Sequence, residues 1–469
     1  MKKVVILAVL LVVSSFIFAQ KIELNAKVDE RCELLSTVFR LAGAKEYVTH
    51  NIPIYVDSLD KYFEPYKNHE IVEYCKKFRE NFGVSYDAPM SLAVHLQIID
   101  GKISLIPNVK DSSLDSSWNK DYLPRFIELL NDFYTTTKFH EFFMKQSDFA
   151  EKVEQTATIY FKKIDMEWYK KFFGEVPEGN FNLIISLSNG PNNYGPKVEY
   201  LDGKEDLYAI TICAIDSLNT PYFSDRWALN LIIHEFCHSF CNRLINENYD
   251  EMKEKADEFY KIEQDVFNKQ AYNNSQTMLN EILVRASVIK YMTDKYPTNA
   301  VNIEKYLSEE RNNGFIWINE LYNSLLIYDQ NRDKYPTVRS YMPEIVKLQN
   351  KLNPQKMLKE QEELMPTISI ANIKNNEKEV NAETTTQIIV KFDKKMNTKA
   401  NGSTYGTKGK EYFPEVIGAK WNEETKTEWI LEVKLEPDKE YSISFPAQWF
   451  FSEDGVNAKN TMYLDFKTK

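Results

Sequence analysis

The segment Leu229 to Leu244, LNLIIHEFCHSFCNRL, constrains this chain more than any other. It sets His234, Glu235 and His238 in the pattern H-E-x-x-H, in a chain with only 6 histidines. Residues four apart on a helix share one face, so both imidazoles can address a single cation. Glu235 lies about 100° round the helix from His234, beside such a cation rather than on it. Leu229, Leu231, Ile232 and Ile233 make the approach apolar nearly all round, which predicts a buried helix. Two buried histidines and a glutamate without a shared partner would be costly. The pattern therefore points to a metal ion with two nitrogen ligands and a carboxylate placed to take a proton from water.

Such a pair needs a third ligand. Thr277 to Tyr291 reads as an apolar helix that carries Glu281 and Arg285 four apart. A glutamate on a buried helix requires a partner. Arg285 alone could serve. The metal reading, which we prefer, makes Glu281 the third ligand and has Arg285 hold its carboxylate, or a neighbour, from behind. Cys237 and Cys241 on the motif helix read as small buried hydrophobes, with cysteine as an alternative third ligand. Glu247 and Asp250 come next if Glu281 fails.

The rest of the sequence bounds the setting. A chain of 469 residues can form two or three domains. Its net charge of −11 disfavours nucleic acid and anionic membrane surfaces as partners. Met1-Lys2-Lys3, the apolar run Val4 to Phe18 and the small residue Ala19 form the pattern of a secretory signal peptide over residues 1–19. No later apolar run is long enough to span a bilayer. The expected location is therefore periplasmic, cell-surface or secreted. Five cysteines (Cys32, Cys75, Cys213, Cys237 and Cys241) leave at least one thiol without a partner in the chain.

Residues 20–180 read as mostly helical, with helices at Glu30 to Leu41, Leu59 to Phe82 (closing at Gly83) and Tyr122 to Tyr134. The aromatic stripe that includes Phe126, Phe133, Phe139, Phe142, Phe143 and Phe149 reads as core. Phe181 to Ser188 and Leu207 to Ile215 read as strands forming a hairpin with a long loop. Ser224 is the expected N-cap of the motif helix. Residues 250 to 270 read as a solvated connecting helix. The metal-site region and trailing helices extend over 181–364, with breaks near Asn312-Asn313-Gly314, Tyr335-Pro336 and Asn353-Pro354. From residue 365 to 469 the pattern alternates with period two, as a β-sandwich requires. The fold class is therefore α+β: a mostly helical part with a small β-sheet, then an all-β module.

His234-Glu235-x-x-His238 followed by Glu281 on a later helix resembles the gluzincin branch of zinc metallopeptidases. The resemblance implies zinc bound by His234, His238 and Glu281, Glu235 as general base, and one strand of the 181–215 pair as the edge along which an extended substrate lies. Tyr86-Asp87-Ala88, Asn131 to Tyr134, Asn193-Tyr194-Gly195, the motif helix, Asn280-Glu281 and Arg285-Ala286 resemble an uncharacterised family of exported bacterial zincin-like proteins. Phe392-Asp393-Lys394-Lys395-Met396 and its neighbours resemble bacterial Ig-like modules, which implies a spacer or adhesive unit that could contact a cell surface or glycan.

The expected activity is hydrolysis of a peptide or protein substrate by a zinc-activated water, with Glu235 as base. Tyr194 and Tyr291 are two candidates for stabilising the oxyanion, with neither assigned. The competing expectations are a catalytically silent, zincin-like surface-binding protein and a zinc hydrolase of a non-peptide amide or glycan.

Overall fold

A computed structural model describes residues 24–175, 179–224, 228–270, 272–296 and 303–469. The expected signal peptide, residues 1–19, lies outside them. The chain divides into two compact units. The first takes its described residues from 24–171 and 179–223, and the second from 172–175 and 224–469. The strands at 181–215 thus group with the N-terminal helices rather than with the motif helix.

In chain order the first unit contains β1 (Ala26–Lys27), α1 (Glu30–Leu41), α2 (Pro53–Phe63), α3 (Glu70–Phe82), α4 (Asp87–His95), β2 (Leu96–Ile99), β3 (Lys102–Leu105), α5 (Leu123–Thr136), α6 (Phe139–Met144) and α7 (Ser147–Phe161). Next come α8 (Met166–Phe173), whose last two residues fall in the second unit, and β4 (Phe181–Ser186), β5 (Lys197–Glu199), β6 (Glu205–Ile212), β7 (Ala214–Ile215) and β8 (Pro221–Tyr222).

Helix α1 has the expected bounds. Asp29 caps it by accepting from Arg31 N–H at 2.9 Å, and Glu30 and Glu33 favour its positive end. The single helix expected from Leu59 to Phe82 is instead two. Pro65 lies in a short 3₁₀ turn, Glu64–Tyr66, between α2 and α3, because proline cannot donate to a continuing helix. Gly83 closes α3 with φ +74°, as expected of a left-handed cap. The aromatic stripe is core at Phe126, Phe133, Phe139 and Phe142, where Phe63 of α2 meets Phe142 edge-on at 5.0 Å, while Phe143 and Phe149 are only half-buried.

The expected hairpin of residues 181–215 is not formed. β4 runs parallel to β6, pairing Leu183 with Ala209. The antiparallel partner of β6 is β5, inside what reads as a loop, and Gly203 at φ +93° turns the chain between them. The sheet order is β1-β4-β6-β5. Leu183, Ile184 and Ile185 are buried in sequence, as suits a parallel strand covered on both faces. At the end of β4 and just past it, the fully buried Glu33 accepts from Ser186 Oγ at 2.7 Å, Leu187 N–H at 2.7 Å and Ser188 Oγ at 2.6 Å.

The second unit opens with α9 (Asn230–Ile262), followed by α10 (Gln264–Lys269), α11 (Ser275–Lys295), α12 (Ile303–Asn312), α13 (Ile318–Gln330), α14 (Val338–Lys351) and α15 (Pro354–Leu364). The cap position of α9 is held by Leu229 and not by Ser224, whose carbonyl accepts from Ala228 N–H at 2.9 Å. α9 runs for 33 residues, so the connecting helix expected near 250 continues the motif helix without a break. Asn274 caps α11, Thr337 and Ser340 form a reciprocal capping box on α14, and Asn353 with Pro354 starts α15.

The strands β9 (Ile368–Ile370), β10 (Glu377–Val380), β11 (Gln387–Phe392), β12 (Thr404–Tyr405), β13 (Glu415–Trp421), β14 (Glu428–Lys434), β15 (Glu440–Phe445) and β16 (Met462–Thr468) end the chain. They form two four-stranded sheets, β10-β16-β15-β12 and β13-β14-β11-β9. Ile388, Val390, Trp429 and Leu431 of one sheet share a single core with Ile443, Phe445, Leu464 and Phe466 of the other. The period-two alternation thus yields two sheets face to face. Among the described residues, no helix is long and apolar enough to cross a membrane.

Candidate metal centre

The site is built on α9 and α11. Ile232, Ile233, Phe236, Cys237 and Phe240 bury much of α9, and Phe240 stacks on Phe173 at 4.4 Å. Met278, Ile282 and Leu283 bury α11, and Cys241 Sγ meets Ser287 Oγ at 3.7 Å across the two helices. With both helices fixed, His234, His238 and Glu281 converge. His234 Nε2 lies 3.0 Å from His238 Nε2. Glu281 Oε1 is 3.3 Å from His238 Nε2, and its Oε2 is 3.6 Å from His234 Nε2.

These spacings fit a metal. A tetrahedral ion with bonds of about 2.0–2.2 Å holds its ligand atoms about 3.3–3.6 Å apart. The donor set, two imidazole nitrogens and one carboxylate, is one that zinc accepts. Among the described residues, this is the group whose donor atoms come together in this way. Glu235 follows His234 directly and is 8% exposed.

The surroundings orient each ligand. His238 Nδ1 faces Asn242 Oδ1 at 3.0 Å, one turn further along α9. A carbonyl oxygen there takes the Nδ1 proton and leaves the Nε2 lone pair for a cation. Tyr272 donates to Glu281 Oε2 at 3.1 Å. Arg285 divides its guanidinium among three partners: Nε lies 3.3 Å from Glu281 Oε2, Nη2 donates to Tyr272 Oη at 2.9 Å, and Nη1 to Glu310 Oε2 at 2.7 Å. Both held contacts fall on Oε2, while Oε1 faces His238.

The electrostatics favour a positive guest. Burial pushes His234 down to about 3, so it stays neutral. Burial also acts to lower His238, but its hydrogen bond to Glu281 and the charge of that carboxylate prevail and hold it up at about 9. Burial would raise Glu281, yet the two histidines and Arg285 keep it well below the usual carboxylate range. The ionised Glu281 thus draws positive charge to the site: without a cation His238 carries the extra proton, and a metal would displace it.

The structure brings together four of the residues singled out from the sequence (His234, His238, Glu281 and Arg285), with Glu235 adjacent. The reserve candidate Glu247 instead pairs with Arg243 at 3.2 Å and with Arg339. All five cysteines are free and buried. Tyr194 belongs to the first unit, is 5% exposed and stacks on Tyr47 at 6.4 Å. Tyr291 is fully buried on α11. Three contributors escaped the sequence reading: Asn242, Tyr272 and Glu310. The spacing from His238 to Asn242, four residues on one face, was the signal for the first. The other two carry none.

The chain belongs to the family described as "Domain of unknown function (DUF4932)", which matches residues 19–348 and so includes every residue of this site. No curated protein matches it. Two solved structures of a surface-layer protein match in part. One is the crystal structure of the S-layer protein rSbsC(31-844), at 14% identity and TM-score 0.18, covering 51% of this chain and 33% of that one. The other is surface layer protein SbsC, domains 1-6, at 12% identity and TM-score 0.17, with the same 51% and 33%. The chain thus spans 33% of the length of each, and at these scores the likeness bears on neither fold nor function.

Proposed function

We propose that this protein is an exported zinc-dependent metallopeptidase, gluzincin-like in its helical part and with an Ig-like C-terminal module. One observation carries the reading: three side chains on two buried helices converge with their nearest donor atoms 3.0 to 3.6 Å apart, and Glu235 directly follows the first of them. His234 Nε2, His238 Nε2 and Glu281 Oε1 would hold the ion. When bound there, zinc lowers the pKa of water toward neutrality and polarises a carbonyl. Glu235 takes the proton from the attacking water and returns it to the leaving amine as the C–N bond breaks. A purely structural ion would have no use for a carboxylate at position 235, which favours the catalytic reading over a silent binding protein.

The test is Glu235→Gln in the full chain, assayed for zinc content and for hydrolysis of a casein or mixed-peptide substrate. Zinc should stay stoichiometric while hydrolysis falls by a factor of about 10² or more. Hydrolysis unchanged from wild type would overturn the assignment. Loss of zinc in His238→Ala and Glu281→Ala is the companion result.

A further inference from the structure

The relay behind Glu281 does not end at Arg285. Glu310, on α12, accepts from Arg285 Nη1 at 2.7 Å and from Asn313 Nδ2 at 3.3 Å. Two residues along the same helix, Asn312 reaches the β-module. Its Nδ2 donates to the Gly455 carbonyl at 3.1 Å, and its Oδ1 accepts from Asn457 N–H at 3.3 Å. The amide is thus gripped at both ends by one turn of backbone, which Gly455 shapes with φ +83°. Beside this clamp opens a polar cleft of about 1060 Å³, lined by Glu309 and Glu310 on the helical side and by Asn397, Glu453 and Asp454 on the other.

We infer that Glu310 is a positioning residue for the metal centre, and that the C-terminal β-module sets its position through Asn312. The inference rests on the metal reading of His234, His238 and Glu281. Its physical basis is competition for one guanidinium. A planar guanidinium prefers to grip one carboxylate with two parallel N–H bonds. Arg285 does not do so with Glu281, because Glu310 holds Nη1 and Tyr272 holds Nη2, leaving only Nε near Glu281 Oε2. Without the Glu310 charge, Arg285 loses the anchor on Nη1 and can turn toward Glu281, drawing the carboxylate away from the histidines. The β-module thereby acts on the metal centre without touching it.

The test uses the full chain and zinc alone, with affinity read by competition against a chromophoric chelator. Wild type, Glu310→Gln, Glu309→Gln and Asn312→Ala are compared, and each is also unfolded thermally in EDTA. Glu309→Gln removes the same charge one residue away without touching Arg285. We expect Glu310→Gln to weaken zinc binding by about 10 to 100-fold. Asn312→Ala should weaken it at least threefold, and Glu309→Gln should leave it within twofold. Metal-free melting temperatures should stay together, which separates positioning from unfolding. Glu310→Gln binding like wild type, or weakened no more than Glu309→Gln, overturns the role of Glu310. Wild-type affinity in Asn312→Ala overturns the role of the β-module. A wild-type protein that binds no zinc defeats the underlying metal reading, and this inference with it, a result distinct from the other two.

Discussion

His238 Nδ1 lies 3.0 Å from Asn242 Oδ1 on the same face of α9, so the ring that would bind a cation on one edge is anchored on the other. This contact fixes both tautomer and rotation. Replacing Asn242 with leucine keeps the helix and the bulk but removes the acceptor. Zinc affinity should fall by about tenfold or more. Affinity equal to wild type in a chelator competition would show that the ring is held by packing alone.

Tyr272 joins two of the site's charges. Its hydroxyl donates to Glu281 and accepts from Arg285. Tyr272→Phe removes both bonds and leaves a half-buried guanidinium N–H without its partner. The metal-free protein should lose about 1–3 kcal/mol in urea unfolding, and zinc binding should weaken in parallel. If neither measurement moves, the hydroxyl is a bystander.

Stability should depend on pH through Glu263, at the junction of α9 and α10. Burial, with the charge of Glu362 nearby, pushes its carboxyl from an ordinary 4.5 up to about 7. The folded state therefore binds this proton more tightly than the unfolded chain. The resulting stabilisation is full below about 4.5 and is lost as pH rises through about 7. Denaturation midpoints of the metal-free protein should decline across that window, and Glu263→Gln should flatten the decline. An unchanged slope in the variant would assign the effect to another group.

The five cysteines offer a probe of both units. Burial pushes the Cys213 and Cys241 thiols up to about 12, and those of Cys32, Cys75 and Cys237 also upward. The thiolate is the reactive form, so Ellman's reagent should modify none in the native protein over minutes and all five in guanidinium. Fast native labelling of any one would reveal local opening of the helices around it.

Much of the site was legible because its signals are local. His234 and His238 share a face through helical spacing, and Glu281 stands out as an acid on an apolar helix. Asp29 and Gly83 likewise announce helix ends by their own backbone chemistry. Glu310 and Tyr272 were not legible. Their importance arises only when α11 and α12 place Arg285 between them, and nothing in their own neighbourhoods marks it. The hairpin expectation failed for a similar reason. Phe181 to Ser186 and Leu207 to Ile212 are strands as read, with Ala214–Ile215 split off into another sheet, but direction is decided by which neighbour β6 takes. That neighbour, β5, is three residues long and too short to show a period.

The first unit carries a consequence for biogenesis. Its sheet pairs Ala26 with Leu183 and Leu183 with Ala209, and Glu33 accepts from Ser186, Leu187 and Ser188. A nascent chain that has emerged only as far as α7 therefore holds an unmatched edge at β1 and a carboxyl group in α1 without these three donors. The helices can form as they appear, but the unit cannot lock until β6 has been delivered, so its folding is governed by the arrival of its last strands rather than its first. Until then the chain depends on whatever shields its apolar helix faces during synthesis. A truncation ending before β4 should accumulate as a chaperone-bound or aggregated species rather than as a smaller native domain.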